Sequence, residues 1–136
     1  MAAYNKFNCF VEDLAEKKHN LASDTLKVAF SNASNPPSSA DDVKLADITT
    51  IDTSNFDSVL LTVLSSEQVA GVYKLILDDK VLTAIGDVPA LRYAIIYNDD
   101  ALNDELIAWF DRGSEAELHS PDTIKLDFGD TLFSLA

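Results

Sequence analysis

The alternation of apolar and polar positions is clearest in residues 89–113, where two apolar segments flank a polar run. Residues 91–97 alternate Leu, Tyr, Ile and Tyr with Arg, Ala and Ile, and this period of two predicts a strand. Residues 106–110 carry the single Trp of the chain and predict a second strand that ends at residues 111–113. Because only the acidic run 98–105 separates the two strands, we expect an antiparallel hairpin whose aromatic side chains anchor the core.

Similar short apolar runs, bounded by turn-forming residues, recur along the chain. The polar residues 65–68 predict one turn, and residues 78–80 predict a tight turn between two further strands. Strands at this spacing are typical of antiparallel sandwiches and barrels. We therefore predict a mainly β fold, an antiparallel β-sandwich of jelly-roll or immunoglobulin-like type with one N-terminal α-helix, as a single domain over residues 1–136. The other predicted strands are residues 25–30, 58–64, 72–77, 81–84, 116–118, 123–128 and 131–133.

The predicted helix covers about residues 4–19. Phe7, Phe10, Val11 and Leu14 fall at positions i, i+3, i+4 and i+7, which places them on one helix face. This apolar stripe must pack either on the sheet of its own chain or on a neighbouring chain, and the spacing leaves both open.

A long loop is predicted at about residues 31–42, which are rich in Ser, Asn, Pro and Asp. Pro36 and Pro37 can neither continue a helix nor donate a hydrogen bond to a sheet. The loop exceeds the usual length of a connection, so we interpret it as a functional arm or a mobile segment. A short helical turn is expected after it, at residues 45–47.

Composition and charge narrow the possible partners. The 136 residues are 47% hydrophobic, enough for a core without metals or disulfides. The net charge of −13 argues against direct nucleic-acid binding, because the ten basic residues are scattered along the chain. Residues 1–14 predict neither a signal peptide nor a membrane span, so we expect a reducing compartment and no membrane partner. Cys9 is the only cysteine, and we expect it to be a buried packing residue.

The residues that could carry chemistry form no strong motif. The acidic run 98–105 could supply oxygen ligands for calcium, but it lacks the spacing of an EF-hand and a solvated hairpin loop explains it better. His19 and His119 have no neighbouring metal-ligand partners in the sequence. Nucleophile elbows and phosphate-binding glycine loops are missing, so we expect a protein that is not an enzyme and needs no cofactor. Arg92 and Arg112 flank the hairpin, and either could pair with an acid across the strands.

Two parts of the sequence resemble a family of small structural proteins of tailed-bacteriophage virions. They are residues 6–37, where a helix precedes a strand that ends in an Asn/Pro loop, and residues 91–128. In the second part the resemblance rests on Arg92-Tyr93-Ala94, Tyr97-Asn98-Asp99, Leu106-Ile107, Trp109, Asp111 and Gly113. The middle of the chain departs from this pattern, since a compact stretch at residues 48–59 replaces a Gly/Asn/Tyr-rich segment.

The resemblance implies a structural component of a phage particle, made in the cytoplasm of the host bacterium and located in the virion. A capsid decoration (cement) protein that binds the lattice of major capsid protein is the first expectation. A tail, connector or receptor-binding component of the same particle is the alternative, and a carbohydrate- or metal-binding module is a further one. Each virion role implies other virion proteins as partners, and we expect a homo-oligomer.

Candidate interface residues follow from these expectations. The helix stripe, the proline loop, the two arginines and the apolar residues 132–136 are the elements that could reach a neighbouring molecule. We expect the last segment to be needed for assembly and not for folding. The candidates are Phe7, Phe10, Leu14, Pro36, Pro37, Arg92, Arg112 and Phe133.

Overall fold

The computed structural model describes residues 2–136. Strands dominate these residues, and a single turn of 3-10 helix, Leu45–Asp47, lies where a helical turn is predicted. The strands and the α-helix are, in chain order, β1 Tyr4–Lys6, α1 Cys9–Ala15, β2 Leu26–Ser31, β3 Val63–Val69, β4 Val72–Leu77, β5 Lys80–Thr83, β6 Val88–Asn98, β7 Leu106–Leu118, β8 Thr123–Leu126 and β9 Phe133–Leu135.

The strands form three antiparallel sheets. The first sheet has the order β1-β7-β6-β2, the second β3-β4-β9 and the third β5-β8. The predicted class is therefore confirmed: the fold is mainly β, with antiparallel sheets in a sandwich-like arrangement and one N-terminal helix. Strand β4 leads directly into β5, but the two belong to different sheets, so residues 78–80 do not close the hairpin that their composition suggests.

The predicted hairpin is the centre of the first sheet. Strands β6 and β7 pair with Ile95 opposite Trp109 and Ile96 opposite Ala108. The prediction that the second strand ends near residue 113 is wrong, because β7 continues to Leu118. Gly113 has a φ of +96°, a conformation that costs glycine little, and it lies where the register shifts between the Tyr93–Asp111 and Leu91–Ala116 pairs.

Both faces of this hairpin are buried, which the alternating pattern did not indicate. Ala94 and Ile96 face a main core that also takes side chains from the second and third sheets. Ile95 and Leu106 belong to a smaller cluster with Phe7 and Ile48 on the opposite face. The core therefore lies on two sides of one sheet, and segments from before and after β2 must cover its outer face.

The N-terminal helix is shorter than predicted. Residues Tyr4–Lys6 form β1 and pair with β7, and the helix begins only at Cys9. The helical spacing of Phe7 and Phe10 is misleading, because Phe7 packs in the smaller cluster and Phe10 in the main core. Two aromatic side chains that enter different cores cannot share one helix face.

The region around β3 also differs from the prediction. The polar residues 65–68 lie inside β3, and the chain reverses at Ala70 and Gly71, which both have positive φ. Two successive residues of this kind form the turn that suits the twist of a two-residue hairpin. Leu60 makes only an isolated bridge with Lys27, so the strand predicted at 58–64 does not form as such.

The loop predicted at residues 31–42 is irregular but is attached to the body of the protein. Trp109 Nε1 donates a hydrogen bond to Ser39 Oγ at 2.9 Å, and Ala33 N donates one to a carboxylate oxygen of Glu115 at 2.8 Å. Pro37 is buried, whereas Pro36 is exposed. The loop is therefore held across the outer side of the hairpin and is not a projecting arm.

A buried polar network connects the α1–β2 segment to the β6–β7 loop. The Asn98 side chain is fully buried and its Nδ2 donates to Asp24 Oδ2 at 2.7 Å. Its Oδ1 accepts from the backbone N–H groups of Asp100 and Ala101, so the orientation of the amide is fixed. The 3.0 Å contact between Asn98 Nδ2 and His19 Nδ1 is then a bond that the histidine accepts, which leaves the His19 proton on Nε2.

The C-terminal residues are part of the fold, contrary to the expectation for residues 132–136. Strand β9 pairs with β4, and Leu132 is buried with its N–H bonded to Leu75 O at 2.8 Å. The Phe133 ring packs edge-on against Phe10, with the ring centroids 5.1 Å apart.

Deleting residues 132–136 should therefore destabilise the protein instead of leaving a folded monomer. Loss of one buried leucine and one packed phenylalanine predicts a decrease of about 3–5 kcal/mol in the free energy of unfolding. Chemical denaturation followed by circular dichroism measures it. Deleting only residues 134–136, which are exposed, is the control and should cost much less. Equal stability of the two truncated proteins would contradict the core role of β9.

His19 predicts a pH dependence of stability. Burial lowers the pKa of its imidazole below the ordinary 6.5, so the folded state binds fewer protons than the unfolded state near that pH. The destabilising effect of His19 is then absent above the pKa that this residue has in the unfolded state. Below that pKa the free energy of unfolding falls as the pH decreases, by at most about 1.4 kcal/mol per pH unit. Denaturant titrations between pH 7.5 and 5.5 should show this slope, and His19→Gln should reduce it.

His119 is the matched control for that measurement. It is exposed, and its hydrogen bond with Asp87 raises its pKa, so its contribution is present below the unfolded pKa and is lost at higher pH. His119→Gln should therefore leave the loss of stability on acidification in place. An unchanged slope in the His19→Gln variant would show that other groups cause the acid sensitivity.

Candidate functional site

The structure separates the interface candidates into two groups. The side chains of Phe7 and Phe10 are 0% and 2% exposed, so neither is available to a partner. Leu14 is partly buried and Phe133 half-buried, and both pack against the main core. The apolar stripe of the helix therefore covers its own sheets, which decides between the two possibilities that the sequence leaves open. Of that stripe, only Val11 is exposed.

The two arginines, in contrast, lie together at one pocket, here called the basic pocket. It opens between the β6–β7 hairpin and β8 and has a volume of about 300 Å³. Phe30, Phe110 and Phe128 contribute to its apolar lining, and Arg92, Arg112 and Lys125 are its basic residues. The lining also includes one acid, Asp127. Three of the ten basic side chains of an acidic chain thus surround one apolar cavity.

Arg92 is held in place by Asp111, as a cross-strand pair would predict. Its Nε and Nη2 donate to the two carboxylate oxygens of Asp111 at 2.9 and 3.2 Å, a two-point contact that fixes the plane of the guanidinium. These hydrogen bonds raise the pKa of Arg92 and lower that of Asp111. The guanidinium also lies 5.3 Å from the ring centroid of Tyr93. The remaining N–H groups of Arg92 can donate hydrogen bonds to an anion in the pocket.

Arg112 and Lys125 are the more accessible cations of the basic pocket. Arg112 Nη1 donates to the backbone oxygen and to Oγ of Ser114, both at 2.9 Å, and the side chain is exposed. Lys125 Nζ lies 3.7 Å from Asp79 Oδ2, too far for a strong pair. Nothing in the sequence groups Lys125 with the arginines, since the grouping depends on the pairing of β8 with β5.

A second surface that sequence reasoning missed is the β3–β4 hairpin. Its exposed apolar side chains include Leu64 and Val69, which are 61% and 58% exposed, and Leu60 lies nearby. The turn-forming composition of residues 65–68 concealed it, because a polar run inside an exposed strand looks like a loop.

Acidic side chains of the run 98–105 accept hydrogen bonds from backbone N–H groups of the run itself and of the segment before β2. Asp100 Oδ2 accepts a hydrogen bond from Thr25 N at 2.7 Å, and the Asn103 N–H points at a carboxylate oxygen of Glu105 at 3.4 Å. Within residues 2–136, no cluster of three or more His, Cys, Asp or Glu side chains has the geometry to hold a metal ion. The run works as a network of acceptors that orders the hairpin loop.

Comparisons of the chain with protein-family models, with curated proteins and with solved structures found no match. In the part of the chain that the structure describes, no helix is long and apolar enough to cross a membrane.

Cys9 should react slowly with thiol reagents in the native protein. The thiol is partly buried, and its burial raises its pKa to about 11, so little reactive thiolate exists at neutral pH. Labelling with a chromogenic disulfide at pH 7.5 should be many-fold slower in buffer than in denaturant. Free cysteine under both conditions is the control, and equally rapid labelling of folded and unfolded protein would contradict the prediction.

Proposed function

We propose that this protein is a structural component of a tailed-bacteriophage virion, most simply a capsid decoration protein that binds the lattice of major capsid protein. The resemblance of residues 6–37 and 91–128 to small virion proteins suggests the class. The observation that carries a docking role is the basic pocket, an apolar cavity edged by Arg92, Arg112 and Lys125 on a chain of net charge −13.

The residues that carry the resemblance build this part of the fold. Arg92 and Asp111 form the two-point pair, and Tyr93 packs edge-on against Trp109 with centroids 5.9 Å apart. Gly113 lies next to Arg112, at the register shift of the β6–β7 pairing. The same residues therefore fix both the central hairpin and the position of the two arginines.

The chemistry of the pocket defines the segment that it would bind. An aliphatic or aromatic side chain fits a lining of phenylalanine rings, and a carboxylate next to it would meet Arg112 and Lys125. An acidic residue beside an apolar one, on an exposed loop of a capsid subunit, has this chemistry. Opposite charges at such a site increase the rate of association and select the partner more than they increase affinity.

The first test is the copy number of the protein in purified particles, measured by quantitative mass spectrometry. A copy number that matches the major capsid protein, or a fixed fraction of it, supports a decoration role. A handful of copies supports the tail, connector or receptor-binding alternative. Absence from washed particles would overturn every virion role and would favour a free binding module.

Reversal of charge in the basic pocket should weaken attachment. Arg112→Glu should keep the fold, since the side chain is exposed. It should reduce several-fold the amount of added protein that binds to particles from which the protein is missing. Lys6→Glu is the matched control. Lys6 is exposed on β1, outside the pocket, and its substitution changes the net charge by the same amount. Sedimentation of particles with added protein gives the bound fraction. Equal binding by both variants would show that the pocket is not the contact.

A further inference from the structure

The basic pocket is apolar at its inner end and charged at its entrance. Phe30 and Leu91 line it and are each 1% exposed, so they lie deepest in the protein. Phe110 is half-buried in its wall, whereas Arg112 and Lys125 are exposed. A molecule that enters the pocket therefore meets positive charge first and aromatic rings beyond it. Small-molecule sites combine an apolar lining with a few polar groups in this way.

The volume of the basic pocket suits a small organic molecule. The cavity of about 300 Å³ has room for on the order of ten water molecules, and it lies at the lower end of the range of ligand sites. Water molecules against phenylalanine and leucine side chains find few hydrogen-bond partners, so an apolar body that displaces them gains free energy. A single leucine or valine side chain on a docked loop would leave most of the cavity empty. A free ligand with a body of about ten carbon atoms fills it better.

The charges around the basic pocket fit a head group with one negative charge. Arg92, Arg112 and Lys125 line the pocket together with the acid Asp127. Asp111 pairs with Arg92, so the three cations exceed these two carboxylates by one charge. A carboxylate supplies one negative charge and accepts two parallel hydrogen bonds from a guanidinium. A doubly charged phosphate ester would bring one charge too many into an already acidic chain.

We propose that the basic pocket binds a free monocarboxylic acid with an aromatic or branched aliphatic body. The body packs against Phe30, Phe110 and Leu126. The carboxylate accepts hydrogen bonds from Arg112 and from the N–H groups of Arg92 that remain free. This binding goes beyond the proposed virion role and does not depend on it. The ligand takes the place that the virion role gives to a capsid segment, so only competition between the two rests on the proposed function.

A titration of the purified protein with 4-phenylbutyrate tests the assignment, because this acid joins a phenyl ring to a carboxylate through a short flexible chain. Amide signals in NMR spectra should show saturable one-to-one binding with a Kd of about 1 mM or lower, the range for a ligand of this size. 4-Phenylbutanol has the same body without the charge, and butyrate has the same head group without the ring. Each should bind at least about tenfold more weakly, because each loses one of the two contacts.

The same spectra locate the probe. The amide signals that shift should come from residues 91–94, 110–112 and 124–128, which contribute the lining of the pocket. The indole N–H of Trp109 should change least, because it donates to Ser39 on the outer side of the hairpin. Shifts confined to other parts of the chain would contradict binding in the pocket.

Two variants separate the contribution of charge from that of shape. Arg112→Glu should weaken binding of 4-phenylbutyrate at least about tenfold, whereas Lys6→Glu, the matched control outside the pocket, should leave the Kd unchanged. Ala94→Leu places a larger side chain in the lining and should weaken binding without any change in charge. Circular dichroism checks the fold of each variant, and Arg112→Glu keeps the test valid if the larger side chain at residue 94 destabilises the core.

The ligand assignment and the proposed function fail separately. No saturable change up to about 10 mM 4-phenylbutyrate, equal binding of the neutral alcohol, or an unchanged Kd in Arg112→Glu would overturn the assignment. Loss of particle binding by Arg112→Glu would still support the docking role in that case. A probe that binds in the pocket but does not release the protein from particles would contradict docking through the pocket and leave the ligand site in place.

Discussion

The pairing of β6 with β7, buried on both faces, is the constraint on which the rest of the structure depends. A sheet with two buried faces needs two covers, and one small domain must supply both from a single chain. The second and third sheets cover one face. The segment around Phe7 and the 3-10 turn before Ile48 cover the other. This division explains why β1, α1 and the loop after β2 all lie against the hairpin.

The hairpin and the β class could be predicted because alternation within one strand is a local signal. The length of the N-terminal helix could not, since the spacing of Phe7 and Phe10 is the same whether their side chains enter one core or two. The reversal at Ala70 and Gly71 was missed because serine and glutamate in residues 65–68 outweighed a single glycine. The basic pocket was found only in part, because sequence proximity says nothing about where β8, with Lys125, meets the hairpin.

The distribution of charge gives the surface its character. Many acidic side chains accept hydrogen bonds from backbone N–H groups of their own loops, as Asp47 does from Val43 and Lys44. These carboxylates therefore help to order the loops that carry them. Hydrogen bonding to the N–H groups lowers the pKa of Asp47. Against this acidic background, a negatively charged molecule would meet less electrostatic opposition at the basic pocket and at the neutral β3–β4 hairpin than at the acidic loops.

Two pairings at sheet edges join segments that are distant in the chain: β1 pairs with β7, and β9 pairs with β4. Closing such long loops is slow, so the order of folding follows from the topology. Strands β6 and β7 can pair as soon as both are synthesised, because only a short loop joins them. Sheet completion waits for β9, and until then the ring of Phe10 and one edge of β4 remain uncovered. Folding intermediates that lack the β9 pairing would therefore be prone to aggregate.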